Sequence, residues 1–178
     1  MRRANAVLSG LILMLFLLHA VLGAFQLIGV GMTPKWLSWL LLGLVALHTL
    51  LGIWLTIRTL RVTARSGVSY WKGNELFWAR RISGFAIMVL IAFHVTAFSV
   101  TVDGALRLVH FDFWKLLTQL LLLLSIAAHV LMNLRPLLLS FGIPAWCARA
   151  GELWVALSIL LCCMAAALMI YWMRWNVW

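Results

Sequence analysis

The chain alternates between long apolar runs and short segments that carry most of its charged residues and all three of its prolines. Five of the runs can cross about 30 Å of hydrocarbon as an α-helix, which takes about 20 residues. We predict membrane-spanning helices near residues 6–28, 36–57, 81–100, 114–134 and 152–172. The connections leave no room for a soluble domain. The pattern therefore predicts an all-α, five-helix bundle forming a single integral membrane domain over residues 1–178.

Composition supports the membrane class and excludes a soluble one. Hydrophobic residues make up 66% of the chain and charged residues only 10%, and the mean hydropathy is +1.09. A soluble globular domain of this size needs far more polar surface.

The fourteen basic residues predict the orientation of the bundle. Ten fall on one side of the predicted membrane: Arg2, Arg3, Arg58, Arg61, Arg65, Lys72, Arg80, Arg81, Arg135 and Arg149. By the positive-inside rule, we expect a multi-pass membrane protein with its N-terminus in the cytoplasm and its C-terminus outside. The net charge of +10 favours binding to anionic lipid headgroups or to an acidic partner subunit. Nucleic acid is disfavoured, because the basic residues border membrane spans and form no soluble basic face.

One histidine lies in each of the first four spans: His19, His48, His94 and His129. Ionisable residues inside a membrane are costly and mark functional sites. Counted from the basic side at 1.5 Å per residue, His19 and His94 lie about 24 and 20 Å deep, and His48 and His129 about 15 and 9 Å deep. The depths predict an outer pair, His19 with His94, and an inner pair, His48 with His129. Each pair could supply two axial ligands to one haem iron.

The residues around the histidines favour haem of the b type. Gly23 and Gly52 each follow a histidine by four residues, so they lie on the same helix face and leave room for a porphyrin, although such glycines also serve helix packing. Arg81, Ser83 and Gly84 open the run that leads to His94. The sequence has no Cys-x-x-Cys-His motif, so covalent haem attachment is not expected.

Basic residues near the helix ends are candidates for binding haem propionates. For the inner haem these are Arg58, Arg81 and Arg135, because arginine can pair with a carboxylate through two hydrogen bonds. The alternative is that these arginines only set the orientation in the membrane.

Polar and aromatic residues at the outer ends of the spans form a candidate quinone site. These residues are Gln26, His110, Asp112 and Trp114. A quinone near the outer haem could exchange protons with water there. The alternative for His110 is an ordinary solvated loop histidine.

Met1-Arg2-Arg3 before an apolar run also resembles a secretory signal peptide. Its removal would take His19 with it. Cys147, Cys162 and Cys163 are too few for a disulfide framework, and we expect Cys162 and Cys163 to be small core residues in the middle of the fifth span.

With these residues in place, the chain resembles the dihaem cytochrome b membrane-anchor subunit of type B succinate:quinone oxidoreductases and quinol:fumarate reductases. The resemblance runs from the first span to about Ile143. It rests on four histidines in order, the Arg81-x-Ser83-Gly84 motif before His94, the His48-x-x-x-Gly52 motif and a fifth helix without a ligand. In the family the first-span and third-span histidines bind one haem and the second-span and fourth-span histidines the other, the same pairs that depth selects.

The resemblance implies a place in the bacterial inner membrane, two haem b groups and two partners, a flavoprotein with covalent FAD and an iron–sulfur subunit on the cytoplasmic face. Electrons would pass between that subunit and a membrane quinone, with menaquinone expected, and the chain would not act on the dicarboxylate by itself. The chain departs from the family in its shorter loops. Ala127 stands where some fumarate reductases carry a carboxylate, two residues before the fourth-span histidine.

Two other classes fit parts of the pattern. The first is the cytochrome b subunit of another quinone-linked enzyme, such as a hydrogenase, formate dehydrogenase or nitrate reductase. The second is a membrane protein without haem, in which the histidines relay protons or bind a metal.

Overall fold

A computed structural model of the chain describes residues 2–31, 33–65, 67, 73–102, 105–143 and 149–177. The elements are α1 (Arg2–Leu27), α2 (Lys35–Arg65), α3 (Glu75–Ala97), β1 (Ser99–Val102), β2 (Ala105–Leu108), α4 (Phe113–Ser140) and α5 (Ala150–Asn176). Each of these five helices of the described residues is long and apolar enough to cross a membrane. The five-helix membrane class is therefore confirmed.

Helices α2 and α3 extend beyond the predicted spans on their basic sides. α2 has 31 residues and reaches Arg65, and α3 begins at Glu75. Hydropathy marks where hydrocarbon ends, whereas a helix continues as long as its residues favour it, and arginine is a good helix former. The long connection predicted between Arg58 and Arg80 is thus mostly helix, and Arg81 lies within α3 instead of opening it. The sequence also places Tyr70 and Trp71 in this connection, where aromatic side chains favour the membrane surface, and both are outside the described residues.

The loop between α3 and α4 contains a short β-hairpin that was not predicted. β1 and β2 pair antiparallel, with Ser99 opposite Leu108 and Val102 opposite Ala105. The ladder continues through the Val109 N–H, which donates to the Phe98 carbonyl over 3.1 Å. The third span therefore ends at Ala97, three residues before its predicted end at residue 100.

The helices run up and down and pack in a defined order. α1 packs along α2, α3 along α4, and α5 against both α1 and α4. We call the end where α1 begins and α2 finishes the basic end, and the opposite end the hairpin end. Among the described residues, the extensive helix contacts of α2 are with α1 alone. Side chains therefore bridge the space between α2 and the α3–α4 pair.

An aromatic cluster closes the hairpin end. The Phe98 and Phe111 rings stack 5.3 Å apart, and Tyr171 of α5 packs on both at 5.8 and 5.1 Å. Phe111 is fully buried. The Asn176 amide donates to the Phe111 carbonyl over 2.9 Å and ties α5 to the loop. Tyr171 thus packs against the loop.

Near the basic end, Pro136 lies inside α4. Proline has no N–H, so it cannot bond the carbonyl four residues earlier, which is that of Met132. Arg80 of α3 donates to the Met132 carbonyl over 3.0 Å. An arginine from the neighbouring helix thus satisfies the carbonyl that the proline leaves open.

Candidate histidine-pair site

The four histidines of the spans meet in two pairs. The His19 and His94 ring centres are 6.1 Å apart, and the His48 and His129 ring centres are 6.5 Å apart. Each pair joins a residue of the α1–α2 pair to a residue of the α3–α4 pair. These are the outer and inner pairs expected from depth along the helices.

The spacing within each pair suits one metal ion between two imidazoles. A metal–nitrogen bond is about 2.0 Å long and the ring centre lies about 1 Å beyond the nitrogen, so two rings on opposite sides of one metal have centres about 6 Å apart. The planes of the rings are inclined by 72° in the outer pair and 86° in the inner pair. No hydrogen bond joins the two rings of either pair in the described part of the chain. The two rings of each pair are therefore near each other without being hydrogen-bonded to each other.

In all four histidines the same ring nitrogen, Nδ1, contacts a side-chain oxygen on another helix. The partners and distances are Ser38 Oγ for His19 (3.5 Å), Ser9 Oγ for His48 (3.4 Å), Gln119 Oε1 for His94 (2.7 Å) and Ser83 Oγ for His129 (3.1 Å). A metal-ligating histidine almost always donates its second ring N–H to such an oxygen. The Nε2 atoms remain as the candidate ligands.

The partners of three histidines also favour one tautomer. The Ser9 hydroxyl donates to the Asn5 carbonyl over 2.8 Å, and the Ser83 hydroxyl donates to the Arg80 carbonyl over 3.2 Å. Each serine has one proton, so both of its contacts are satisfied only if the histidine Nδ1–H is the donor. The carbonyl oxygen of Gln119 is an acceptor only. His48, His94 and His129 are therefore held with a proton on Nδ1 and a lone pair on Nε2, the form that binds a metal.

The glycines predicted to leave space have different surroundings. A Cβ added at Gly84 would lie 3.3 Å from His129 Cε1, and one at Gly52 would lie 3.5 Å from the Arg81 guanidinium. A Cβ at Gly23 would meet nothing within 4 Å. Gly84 thus permits close packing of α3 against the His129 ring, whereas Gly23 borders open space one turn from His19.

The three arginines predicted to bind propionates lie in different environments. Arg81 crosses from α3 towards Gly52 of α2, and its guanidinium is also 5.0 Å from the centre of the Phe77 ring. Arg58 lies over the Trp54 ring at 5.6 Å, and Arg135 is exposed. Arg81 thus reaches across to the helix that carries His48, and it does so at Gly52, one turn from that histidine.

The four residues of the predicted quinone site make local contacts. Gln26 Oε1 accepts from the Thr33 N–H over 2.8 Å, and Asp112 caps α4 by accepting from the Lys115 N–H over 2.9 Å. The His110 ring contacts Trp175 edge-on at 5.5 Å, and Trp114 is 71% exposed. Among the described residues, no hydrogen bond or ring contact joins Gln26 to the other three. The quinone site stays a prediction.

Sequence reasoning missed three residues that contact the histidines: Ser9, Ser38 and Gln119. Gln119 is only 3% exposed. In the sequence, the one signal that could have singled it out is a glutamine within an apolar run, because a buried polar side chain needs a hydrogen-bond partner. The thiols of Cys162 and Cys163 are unpaired and exposed on α5, so the expectation that they lie in the core was wrong. Cys147 is outside the described residues.

Comparisons of the chain with models of protein families, with characterised proteins and with solved structures gave no match. The composition and the five helices place the chain among multi-pass membrane proteins. Within the described residues, no group of three or more His, Cys, Asp or Glu side chains could hold a metal ion. In the described residues, each pair offers two imidazoles, which is the number of protein ligands that a haem iron can take beside the four of the porphyrin, whereas a structural zinc ion takes four ligands from the protein.

Proposed function

We propose that the protein is the dihaem cytochrome b membrane-anchor subunit of a succinate dehydrogenase or fumarate reductase complex. It would connect an iron–sulfur subunit to a membrane quinone, with menaquinone as the expected quinone. The observation that carries the proposal is the approach of four intramembrane histidines in two pairs, with ring centres 6.1 and 6.5 Å apart and every Nδ1 held by another helix.

The residues of the chain have separate roles in this proposal. The Nε2 atoms of His19 and His94 would ligate one haem iron, and those of His48 and His129 the other. The serine and glutamine oxygens orient the rings, Gly52 and Gly23 leave room beside them, and Arg81 is the first candidate to pair with a propionate. Bound haem supplies a one-electron couple between ferric and ferrous iron at each pair.

The assembly and location follow the resemblance. Helix α2 runs on to Arg65 and carries Arg58, Arg61 and Arg65 beyond the predicted hydrocarbon boundary. This basic end would face the bacterial cytoplasm and receive the iron–sulfur subunit, which in turn binds the flavoprotein with covalent FAD. Lipid would cover the exposed apolar side chains of the helices.

The test is purification of the tagged chain from its native membrane in mild detergent. The proposal expects co-purification of an iron–sulfur protein and a flavoprotein with covalent FAD, and reduction of b-type haem by succinate in the complex. Co-purification of a hydrogenase, formate dehydrogenase or nitrate reductase subunit would replace it with the second class of quinone-linked enzyme. A chain without haem absorbance would contradict both and favour the proton-relay or metal class.

A further inference from the structure

A deeply buried amide side chain contacts the outer pair directly. Gln119 of α4 is 3% exposed, and its Oε1 lies 2.7 Å from Nδ1 of His94. This is the shortest of the four Nδ1 contacts and the only one made by an amide. Burying a glutamine is costly unless its groups are hydrogen-bonded, so its position needs an explanation.

A short chain of hydrogen bonds determines which way the amide points. The Thr118 hydroxyl donates its only proton to the Lys115 carbonyl over 2.8 Å. Its oxygen can therefore only accept from Gln119, whose Nε2 lies 3.3 Å away. The nitrogen of the amide faces Thr118 and the oxygen faces His94. Because that oxygen can only accept, His94 must donate through Nδ1–H.

Hydrogen bonding at Nδ1 changes the ligand strength of Nε2. A neutral imidazole that donates to a strong acceptor becomes a more basic ligand and stabilises the more highly charged state of a bound metal. Burial strengthens the effect, because electrostatic interactions are larger in a low-dielectric interior. The corresponding contact in the inner pair, from His129 to the Ser83 hydroxyl, is longer at 3.1 Å.

We propose that Gln119 is a positioning residue for the outer haem: its buried carbonyl holds His94 as an Nε2 ligand and lowers the reduction potential of that haem. The inference rests on the proposed function. It assigns to Gln119 a role that neither the sequence pattern nor the resemblance assigned.

The experiment uses the full chain in its complex and isolates each haem by removing the other. In the His48→Ala background only the outer haem should remain, and in the His19→Ala background only the inner one. Gln119→Met keeps the length of the side chain and removes the amide oxygen. Spectroscopic redox titration then gives the reduction potential of each haem in turn.

In the outer-haem background, Gln119→Met should favour ferrous iron about tenfold more than the parent does, which is a rise of about 59 mV for a one-electron couple. Gln119→Glu, which keeps an oxygen acceptor, should leave the potential at or below that of the parent. In the inner-haem background, Gln119→Met should change nothing. Loss of only the outer haem in Gln119→Met, with recovery in Gln119→Glu, would also support the positioning role.

Two results would overturn the inference. One is an outer haem in Gln119→Met whose potential matches the parent, which would leave Gln119 as a packing residue only. The other is an equal shift of both haems, which would indicate a general change in the bundle. If the unmodified chain lacks haem, as both backgrounds then must, the proposed function has failed and the inference falls with it. The haem content of the unmodified chain therefore distinguishes a failure of the proposed function from a failure of the inference about Gln119.

Discussion

The outer and inner histidine pairs have nearly equal ring separations but different surroundings. The inner pair is held by the hydroxyls of Ser9 and Ser83 and lies near Arg81, which crosses to α2. The outer pair is held by the Gln119 amide and the Ser38 hydroxyl, and its His94 ring contacts Phe98 of the aromatic cluster at 5.6 Å. The arrangement of the two rings thus repeats, while the electrostatic environment does not. We expect two sites of the same kind with unequal properties.

Removal of single histidines should have the largest effect and separate the two pairs. His19→Ala and His94→Ala should each abolish the outer haem, and His48→Ala and His129→Ala the inner haem, because an iron that loses one of two axial ligands is poorly retained. Pyridine haemochrome counting gives the number of haems, and difference spectra identify which one is missing. Loss of the same haem from His19→Ala and His48→Ala would show that the pairing is wrong.

Bulky residues at the glycines should break the comparison one site at a time. Gly23→Leu should lower occupancy of the outer haem, and Gly52→Leu that of the inner haem, by filling the space beside the porphyrin. Leucine favours a helix over glycine by nearly 1 kcal/mol, so weakened helix formation would not explain a loss.

Gly43→Leu is the matched control for Gly23→Leu. A Cβ at Gly43 also meets nothing within 4 Å. Gly43 is five residues from His48, so the two do not lie on the same face of α2. Haem content of the purified variants is the measurement. Full occupancy in both Gly23→Leu and Gly52→Leu would mean that the glycines serve helix packing alone.

The smallest effect concerns the hydrogen bond from Arg80 of α3 to Met132 of α4, near the basic end. Arg80→Met should lower the free energy of unfolding by about 1–2 kcal/mol, because the Met132 carbonyl loses its donor. Pro136→Ala restores an N–H four residues after Met132, so Arg80→Met should cost about 1 kcal/mol less in that background. A double-mutant cycle of detergent-based unfolding gives the coupling. Equal costs in both backgrounds would show that Arg80 does not replace the missing backbone bond.

The sequence was sufficient for the helices and for the two pairs, and the reason is physical. A membrane span needs a long apolar run, and helical rise converts residue number into depth, so His19 and His94 could be matched from numbers alone. The β-hairpin was also within reach. Asp103-Gly104 stands between two short alternating segments, which is a strong hairpin signal, although it is short beside the apolar runs that surround it.

The partners of the histidines could not be read in the same way. Depth says nothing about the rotation of each helix about its axis, so Ser9, Ser38 and Gln119 could not be placed beside particular rings. The bond from Arg80 to Met132 also depends on the side-by-side position of α3 and α4. These contacts are properties of packing between helices, and the pattern along one helix does not contain them.

The most direct test of the central claim is the haem content of the purified full-length chain. The account predicts two non-covalent b haems per chain by pyridine haemochrome, both low-spin because each iron has two imidazole ligands. The account would be contradicted by two high-spin haems, by a single haem per chain or by no haem at all.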